Sequence, residues 1–218
     1  APPQVTAAIA LGGPPAPTPA RQGMENFYDG RRRLDQCYSC HSCHQDGGIK
    51  ARPMDTMNDG TEMTLKTVLP LYHVTETFPW TWHGWQTNLT EAMEKSITST
   101  MQGASPSDED KRALIAFLGT LKSPPNPFRQ PDGSLTEAAE RGKKIFFSTK
   151  AACADCHNGR HYSDGKIHDV GLGSESDFYK GYNTPSLVGV YRKVRLLHSG
   201  RARDLQRVIG DLHRPELV

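Results

Sequence analysis

A helical chain built twice over from one plan is what this sequence predicts, and three observations predict it. Short phrases recur in the same order in each half of the 218 residues: Gly23-x-x-x-Phe27-Tyr28 and Gly142-x-x-x-Phe146-Phe147, Thr67-Val68-Leu69 and Thr184-Pro185-Ser186-Leu187, then Gly84-x-x-x-Asn88-Leu89 and Gly200-x-x-x-Asp204-Leu205. A proline cluster, Ser123-Pro124-Pro125-Asn126-Pro127-Phe128 with Pro131 behind it, divides the chain near its middle. Apolar residues fall at helical spacing behind residues that cap helices.

Residues 1–22 hold six of the sixteen prolines and no basic segment ahead of an apolar one. They read as an extended linker or a mature N-terminus, not as a signal peptide. The first unit, residues 23–122, opens on a short helix whose Gly23 admits a second helix closely and whose Phe27 stands against the core or a bound group. Asn88 and Glu91 cap a helix with the stripe Leu89, Met93, Ile97 and Met101. Ser107 caps another, with Leu114, Phe117, Leu118 and Leu121 on one face. Residues 123–133 form the linker. The second unit, residues 134–218, is announced by the capping box Ser134-Leu135-Thr136-Glu137. It closes on Leu205, Val208, Ile209 and Leu212 with no counterpart of the Ser107 helix. It is therefore expected to lack its final helix, the chain being truncated there or a partner covering the gap.

All five cysteines stand in two clusters, Cys37-Tyr38-Ser39-Cys40-His41-Ser42-Cys43-His44 and Cys153-Ala154-Asp155-Cys156-His157. Cys-x-x-Cys-His is the attachment motif of c-type haem: two thiols about one helical turn apart meet the two vinyl groups, and the following His binds iron. Zinc competes for Cys-x-x-Cys pairs. An iron–sulfur cluster competes at Cys37-x-x-Cys40-x-x-Cys43, but such a run expects a fourth Cys followed by Pro where Asp46-Gly47-Gly48 follow here. The first cluster satisfies the haem motif in two registers, Cys37/Cys40/His41 and Cys40/Cys43/His44. The second is preferred because Gln45-Asp46-Gly47-Gly48 turns the backbone away after His44, leaving Cys37 a spare thiol. Two covalent haems with their irons are expected, on Cys40, Cys43 and His44 and on Cys153, Cys156 and His157.

A mean hydropathy of −0.61 with 36% hydrophobic residues is lean for a self-sufficient core, and a macrocycle in each unit supplies apolar volume. No run approaches ~18 apolar residues, which excludes a transmembrane segment. A formal charge of +2 without a long basic block argues against nucleic acid. Arg192, Arg195, Arg201, Arg203, Arg207 and Arg214 gather late, as a solvated face or as partners of haem propionates.

These residues together resemble the bacterial dihaem cytochrome c peroxidases and the dihaem enzyme of methylamine utilisation, over about residues 22–218. The resemblance implies an all-α fold of two tandem cytochrome c-type haem domains, packed face to face and related by internal duplication. It assigns Trp82, in Trp82-His83-Gly84, as the relay between the haems; packing is the competing role, with Trp80 and Trp85 so close. His198, in Leu197-His198-Ser199-Gly200, falls on the family's Phe-His-Asp-Gly and joins the cofactor-binding residues.

The peroxidases carry a Gln and a Glu above the first haem, and those positions fall on Ala92 and Gln102. Proton transfer during O–O cleavage is worth ~10²–10⁴ in rate and an amide does it poorly, so His83, Asp59 or His73 would have to substitute. Above the second haem the family's Met or Tyr ligand falls on Leu212, which cannot bind iron. His213 beside it would give bis-His ligation, a surface His near a chain end being the alternative. Met101, His73 and His83 are candidates above the first haem. Calcium is a further candidate between the haems, although Thr64 stands where its Asn ligand would be.

The expected function is electron transfer between two covalent haems and a small redox protein, a monohaem cytochrome c or a cupredoxin, in the periplasm, where bacteria attach such haems. An oxidoreductase acting on hydrogen peroxide, as peroxide reductase or oxidative-maturation enzyme, is the alternative. A haem-bearing subunit of a larger redox complex is the third.

Overall fold

The computed structural model describes residues 4, 6–9, 12–13, 16–48, 53–56 and 59–213; Arg214, at the end of the arginine group, lies outside the described residues. The first half carries helix α1 (Pro19–Tyr28), the turn α2 (Cys40–Cys43), the strand pair β1 (Pro53–Met54) and β2 (Lys66–Thr67), and helices α3 (Leu89–Lys95) and α4 (Asp108–Thr120). The second half carries α5 (Glu137–Phe146), the turn α6 (Cys153–Cys156), the pair β3 (Ile167–His168) and β4 (Tyr182–Asn183), and α7 (Leu205–Arg207). The order of elements before α4 is thus the order of the second half. The architecture is mostly helical with two small antiparallel ribbons, Pro53 opposite Thr67 and Ile167 opposite Asn183. Strands of two residues are too short to leave a period in the sequence.

Helix α1 starts inside the segment expected to be extended. Thr18 accepts the Arg21 amide at 3.3 Å and Pro19 occupies the first turn, where its missing N–H costs nothing. Gly23 then meets α4 so closely that a Cβ there would lie 1.9 Å from the Ala113 carbonyl oxygen. Helix α4 is capped by Ser107, which accepts the Asp110 amide at 3.1 Å, with three acids in its first turn facing the positive end of the helix dipole. Between the two helices lies the main core of Phe27, Val74, Ile97, Met101, Leu114, Phe117 and Leu118. Asn88 caps α3 as expected, accepting from Thr90 and Glu91. After Lys95 the helix widens into one π turn, Ser96–Thr100, which keeps Ile97 buried.

In the second half the cap is Thr136, which accepts from the Ala139 amide at 3.2 Å, and not Ser134. Ser134 is committed to the preceding turn, its carbonyl accepting from Gln130 and its amide bound to Asp132. Helix α5 has no buried residue, nothing lies within 4 Å of a Cβ at Gly142, and Ile145 and Phe147 are exposed. Of the last stripe, Val208 is buried while Leu205 and Ile209 are exposed. Gly23 and Gly142 therefore predict opposite outcomes. Gly23→Ala should destabilise by about 1–3 kcal/mol or more through overpacking, and Gly142→Ala should be neutral or gain up to about 1 kcal/mol in helix propensity, both read from thermal unfolding of the two variants.

The halves meet in a hydrogen-bonded seam. The Asn183 backbone amide donates to the Trp82 carbonyl at 2.8 Å and its side-chain amide to the Pro79 carbonyl at 2.6 Å, and the Thr67 amide donates to the His198 carbonyl at 2.6 Å. Trp82, Leu172 and Tyr182 form the apolar part, and the Lys66 ammonium sits 3.0 Å from both Asp59 and Asp177. Among the described residues no helix is long and apolar enough to cross a membrane.

Candidate functional site

The two Cys-x-x-Cys-His segments fold as the same turn. In each, the histidine amide donates to the carbonyl of the first cysteine at 2.9 Å, His44 to Cys40 and His157 to Cys153. The histidines leave the helix at similar angles, φ −104° and ψ 58° for His44 and φ −87° and ψ 72° for His157. Ser39 and Ser42 cap the first turn reciprocally. Cys37 stands outside it, exposed, its Sγ 3.2 Å from the Asp35 carbonyl, after two residues with left-handed backbone. Cys40, Cys43 and His44 thus share the geometry of Cys153, Cys156 and His157, whereas Cys37 and Cys40 do not lie on one helical turn. The His41 ring packs instead on Tyr28 at 4.7 Å.

Burial brings the His44 imidazole down to about 4, against the opposing pull of the Leu69 backbone, so it is neutral at pH 7. Burial also lowers His157. The Nδ1–H of His157 donates to the Tyr162 carbonyl at 3.0 Å, which leaves the Nε2 lone pair for a metal and fixes the ring's orientation. Its partner in space is His213, with ring centres 6.2 Å apart.

Beside the first turn lies a cavity of about 350 Å³, walled by Cys40, Cys43 and His44 and by Phe27, Leu69, Leu71, Trp80, Trp82, Met93, Met101 and Leu118. An apolar wall with a neutral imidazole and two thiols fits a haem held by thioethers. Among the described residues the clusters able to bring three metal-ligating side chains together include neither Cys40 nor Cys43, so a tetrahedral zinc site finds no ligand set there.

Several residues singled out from the sequence reach this wall: Trp82, His83, Ala92, Met101 and Asp59. Trp82 is buried, 8% exposed, with its indole N–H donated to the Thr67 carbonyl at 2.6 Å. His83 donates Nδ1–H to the Gly181 carbonyl at 2.7 Å, which leaves Nε2 buried without a hydrogen bond, 3.7 Å from Asp177. Asp59 is committed to Thr61 and Lys66, and the Thr64 hydroxyl pairs with that of Thr61.

Others do not reach the wall. Gln102 is exposed, with φ 48°. His73 accepts from the Ser123 amide at 3.3 Å and packs on His161. His198 lies in the seam, stacked on Tyr182 with ring centres 4.2 Å apart, and burial lowers it to about 4. None of the described late arginines lines the cavity; Arg192 bonds Tyr72 and Arg207 bonds Asp211. Sequence reasoning missed Lys66, Asp177, Tyr182 and Lys193, whose roles depend on contacts between the halves that no local pattern announces.

A mostly helical fold with two such turns is shared with dihaem cytochrome-like proteins. The chain is 28% identical to the hydrazine synthase gamma subunit of Kuenenia stuttgartiensis, over 88% of this chain and 69% of that protein. It is 29% identical to the methylamine utilisation protein MauG of Methylorubrum extorquens, over 48% of this chain and 36% of that protein. The structure superposes on hydrazine synthase from K. stuttgartiensis with a TM-score of 0.88 at 24% identity, covering 99% of this chain and 92% of that one. It superposes on the dihaem peroxidase BthA of Burkholderia thailandensis with a TM-score of 0.68 at 16% identity, covering 90% and 71%. No protein-family model matches the sequence. The chain is thus similar in sequence to a hydrazine synthase subunit and to MauG, and shares its fold with a dihaem peroxidase.

Proposed function

We propose that this chain is a periplasmic dihaem c-type cytochrome module that passes electrons between two covalently bound haems and a redox partner, its two halves arising by internal duplication. The observation that carries the reading is the matching helical turn and histidine exit of Cys40–His44 and Cys153–His157. When bound, each haem supplies an iron that takes and gives one electron. The thiols of Cys40 and Cys43, and of Cys153 and Cys156, would anchor the macrocycles. His44 and His157 would hold the irons from one side, and His213 would hold the second from the other. The ring centres of His157 and His213 stand 6.2 Å apart, two imidazoles brought together beside the second turn, which supports that role.

Trp82 lies in the wall of the first cavity and in the seam to the second half, which supports it as the relay. Trp82→Phe keeps the packing while making the ring harder to oxidise. Interhaem transfer followed by flash photolysis should slow by an order of magnitude, about 1.4 kcal/mol in barrier, with both haem spectra intact. An unchanged rate would reduce Trp82 to a packing residue. Mass spectrometry should find two haems per chain, unaffected by Cys37→Ser and with one thioether fewer in Cys40→Ser. Loss of a haem thioether in Cys37→Ser would reverse the register.

Calcium has no part in this reading, because the Lys66 ammonium already neutralises Asp59 and Asp177. The partner is a small redox protein or the other subunits of a larger complex; the bare α5 face supports the second, and the hydrazine synthase relative is itself a subunit. Peroxide chemistry at the first cavity is the second reading, and His83 favours it. His83 lines the wall and keeps an Nε2 without a hydrogen bond, 3.7 Å from Asp177, so it is the candidate proton acceptor for O–O cleavage, a duty that neither Ala92 nor Gln102 can perform. Vigorous peroxide turnover by the purified holoprotein would favour this reading over the carrier.

A further inference from the structure

Three lysines line the first cavity. Lys66 is held between Asp59 and Asp177, and Lys95 lies over the Trp85 ring, 4.2 Å from its centre. Lys193 differs. It follows the short turn Val190–Arg192 of the second half, reaches across the seam to the wall of the first half's cavity, and sets its Nζ 5.5 Å from the centre of the Trp82 ring. Burial pulls its pKa down to about 8, and no charged group contributes to that shift. A half-buried ammonium with no carboxylate partner among the described residues is costly, and an indole face recovers only part of that cost. The full complement of interactions at this site therefore includes an anion.

The position of Lys193 says which anion. Cys40 packs against the main core around Phe27, whereas Trp82 belongs to the seam cluster with Leu172 and Tyr182. A haem tethered through its vinyl groups at Cys40 and Cys43 carries its two propionates on the opposite edge of the macrocycle. Lys193 stands with the seam cluster, away from the tethering thiols, and the late arginines do not reach this wall. We propose that Lys193 is a cofactor-carboxylate site contributed by the second half: its ammonium binds a propionate of the haem held by Cys40, Cys43 and His44, and places a positive charge beside Trp82. This rests on the reading that those three residues hold a haem.

The test is redox titration of the holoprotein and of Lys193→Met, Lys193→Gln and Lys193→Arg, each checked for two haems by mass. A cation beside the first haem disfavours the ferric form. Removing it in the Met and Gln variants should raise that haem's ferric-to-ferrous ratio at a fixed potential about tenfold, a fall of about 59 mV in midpoint. The second haem should stay unchanged, and Arg should restore the wild-type value. An unchanged first midpoint in both neutral variants overturns the proposal, as does an Arg variant that behaves like Met. Added formate distinguishes a diffusible anion from the propionate: a saturable spectral response in wild type that is lost in Lys193→Met also overturns it. A wild-type chain with no haem on Cys40 and Cys43 defeats the underlying reading, and is recognised by mass before any titration.

Discussion

Lys66→Met should lower stability by about 3–5 kcal/mol, the cost of breaking a buried ion pair from one side. Lys66 is 12% exposed and lies 3.0 Å from Asp59 and from Asp177, which is 5% exposed, so its loss strands two carboxylates in the seam. Asp177 anchors more than the lysine. It accepts from the Tyr182 hydroxyl at 2.7 Å and the Ser174 amide at 2.9 Å, and Tyr182 in turn bonds and stacks on His198. Burial acts to raise the Asp177 carboxyl, and the hydrogen bonds from Tyr182 and Ser174 together with Lys66 outweigh it, holding the group well below the usual carboxylate range. A carboxyl with a depressed folded-state pKa contributes stability that is complete above its unfolded value, about 3.9, and is lost as pH falls from there through the folded value. The gap between wild type and Lys66→Met should therefore be widest near neutrality and narrow only below about pH 4. Chemical denaturation of the holoprotein at pH 7 and pH 3 checks both halves of this, and a gap that is the same at the two values would remove Asp177 from the account.

This seam also marks where the sequence stops being readable. Thioether attachment demands two thiols on one turn with a histidine behind them, so Cys40–His44 and Cys153–His157 announce themselves within five residues. Ser107 and Asn88 are legible as caps for the same reason: a cap acts within three residues of itself. Gly23 is legible through the aromatic residue one turn on, and the same phrase at Gly142 suggested a repeat while hiding that nothing packs on α5 at that glycine. Ser134 misled because two hydroxyls, Ser134 and Thr136, stand at the helix start, and which one caps depends on the turn at Asp132 and Gly133. Lys66 with Asp177, His83 with Gly181 and Lys193 with Trp82 bring together residues about a hundred apart or more. Nothing in the local pattern around either partner encodes such pairs; they follow from how the halves close on each other.

His213→Ala should convert the second haem from six-coordinate low-spin to high-spin completely while leaving the first haem and the haem count as they are. The expectation rests on the pairing of His213 with His157 across 6.2 Å, and on His157 being aimed by its bond to the Tyr162 carbonyl, so that its Nε2 is free for iron. His213 follows the π turn Val208–Leu212 and its amide closes that turn on Val208 at 2.7 Å, which fixes the backbone from which the ring extends. Leu212 packs into the apolar clusters of the seam and second half instead of serving as a ligand, so moving the ligand by one residue exchanges a core contact for a metal contact on the same turn. His213→Met separates ligation from packing: it should keep the haem six-coordinate and raise its potential, since thioether ligation favours ferrous iron relative to bis-His. Electron paramagnetic resonance reads the spin state and redox titration the potential. A low-spin second haem in His213→Ala would mean that another group holds the sixth position, and the electron-carrier reading would then need a different gate at that iron.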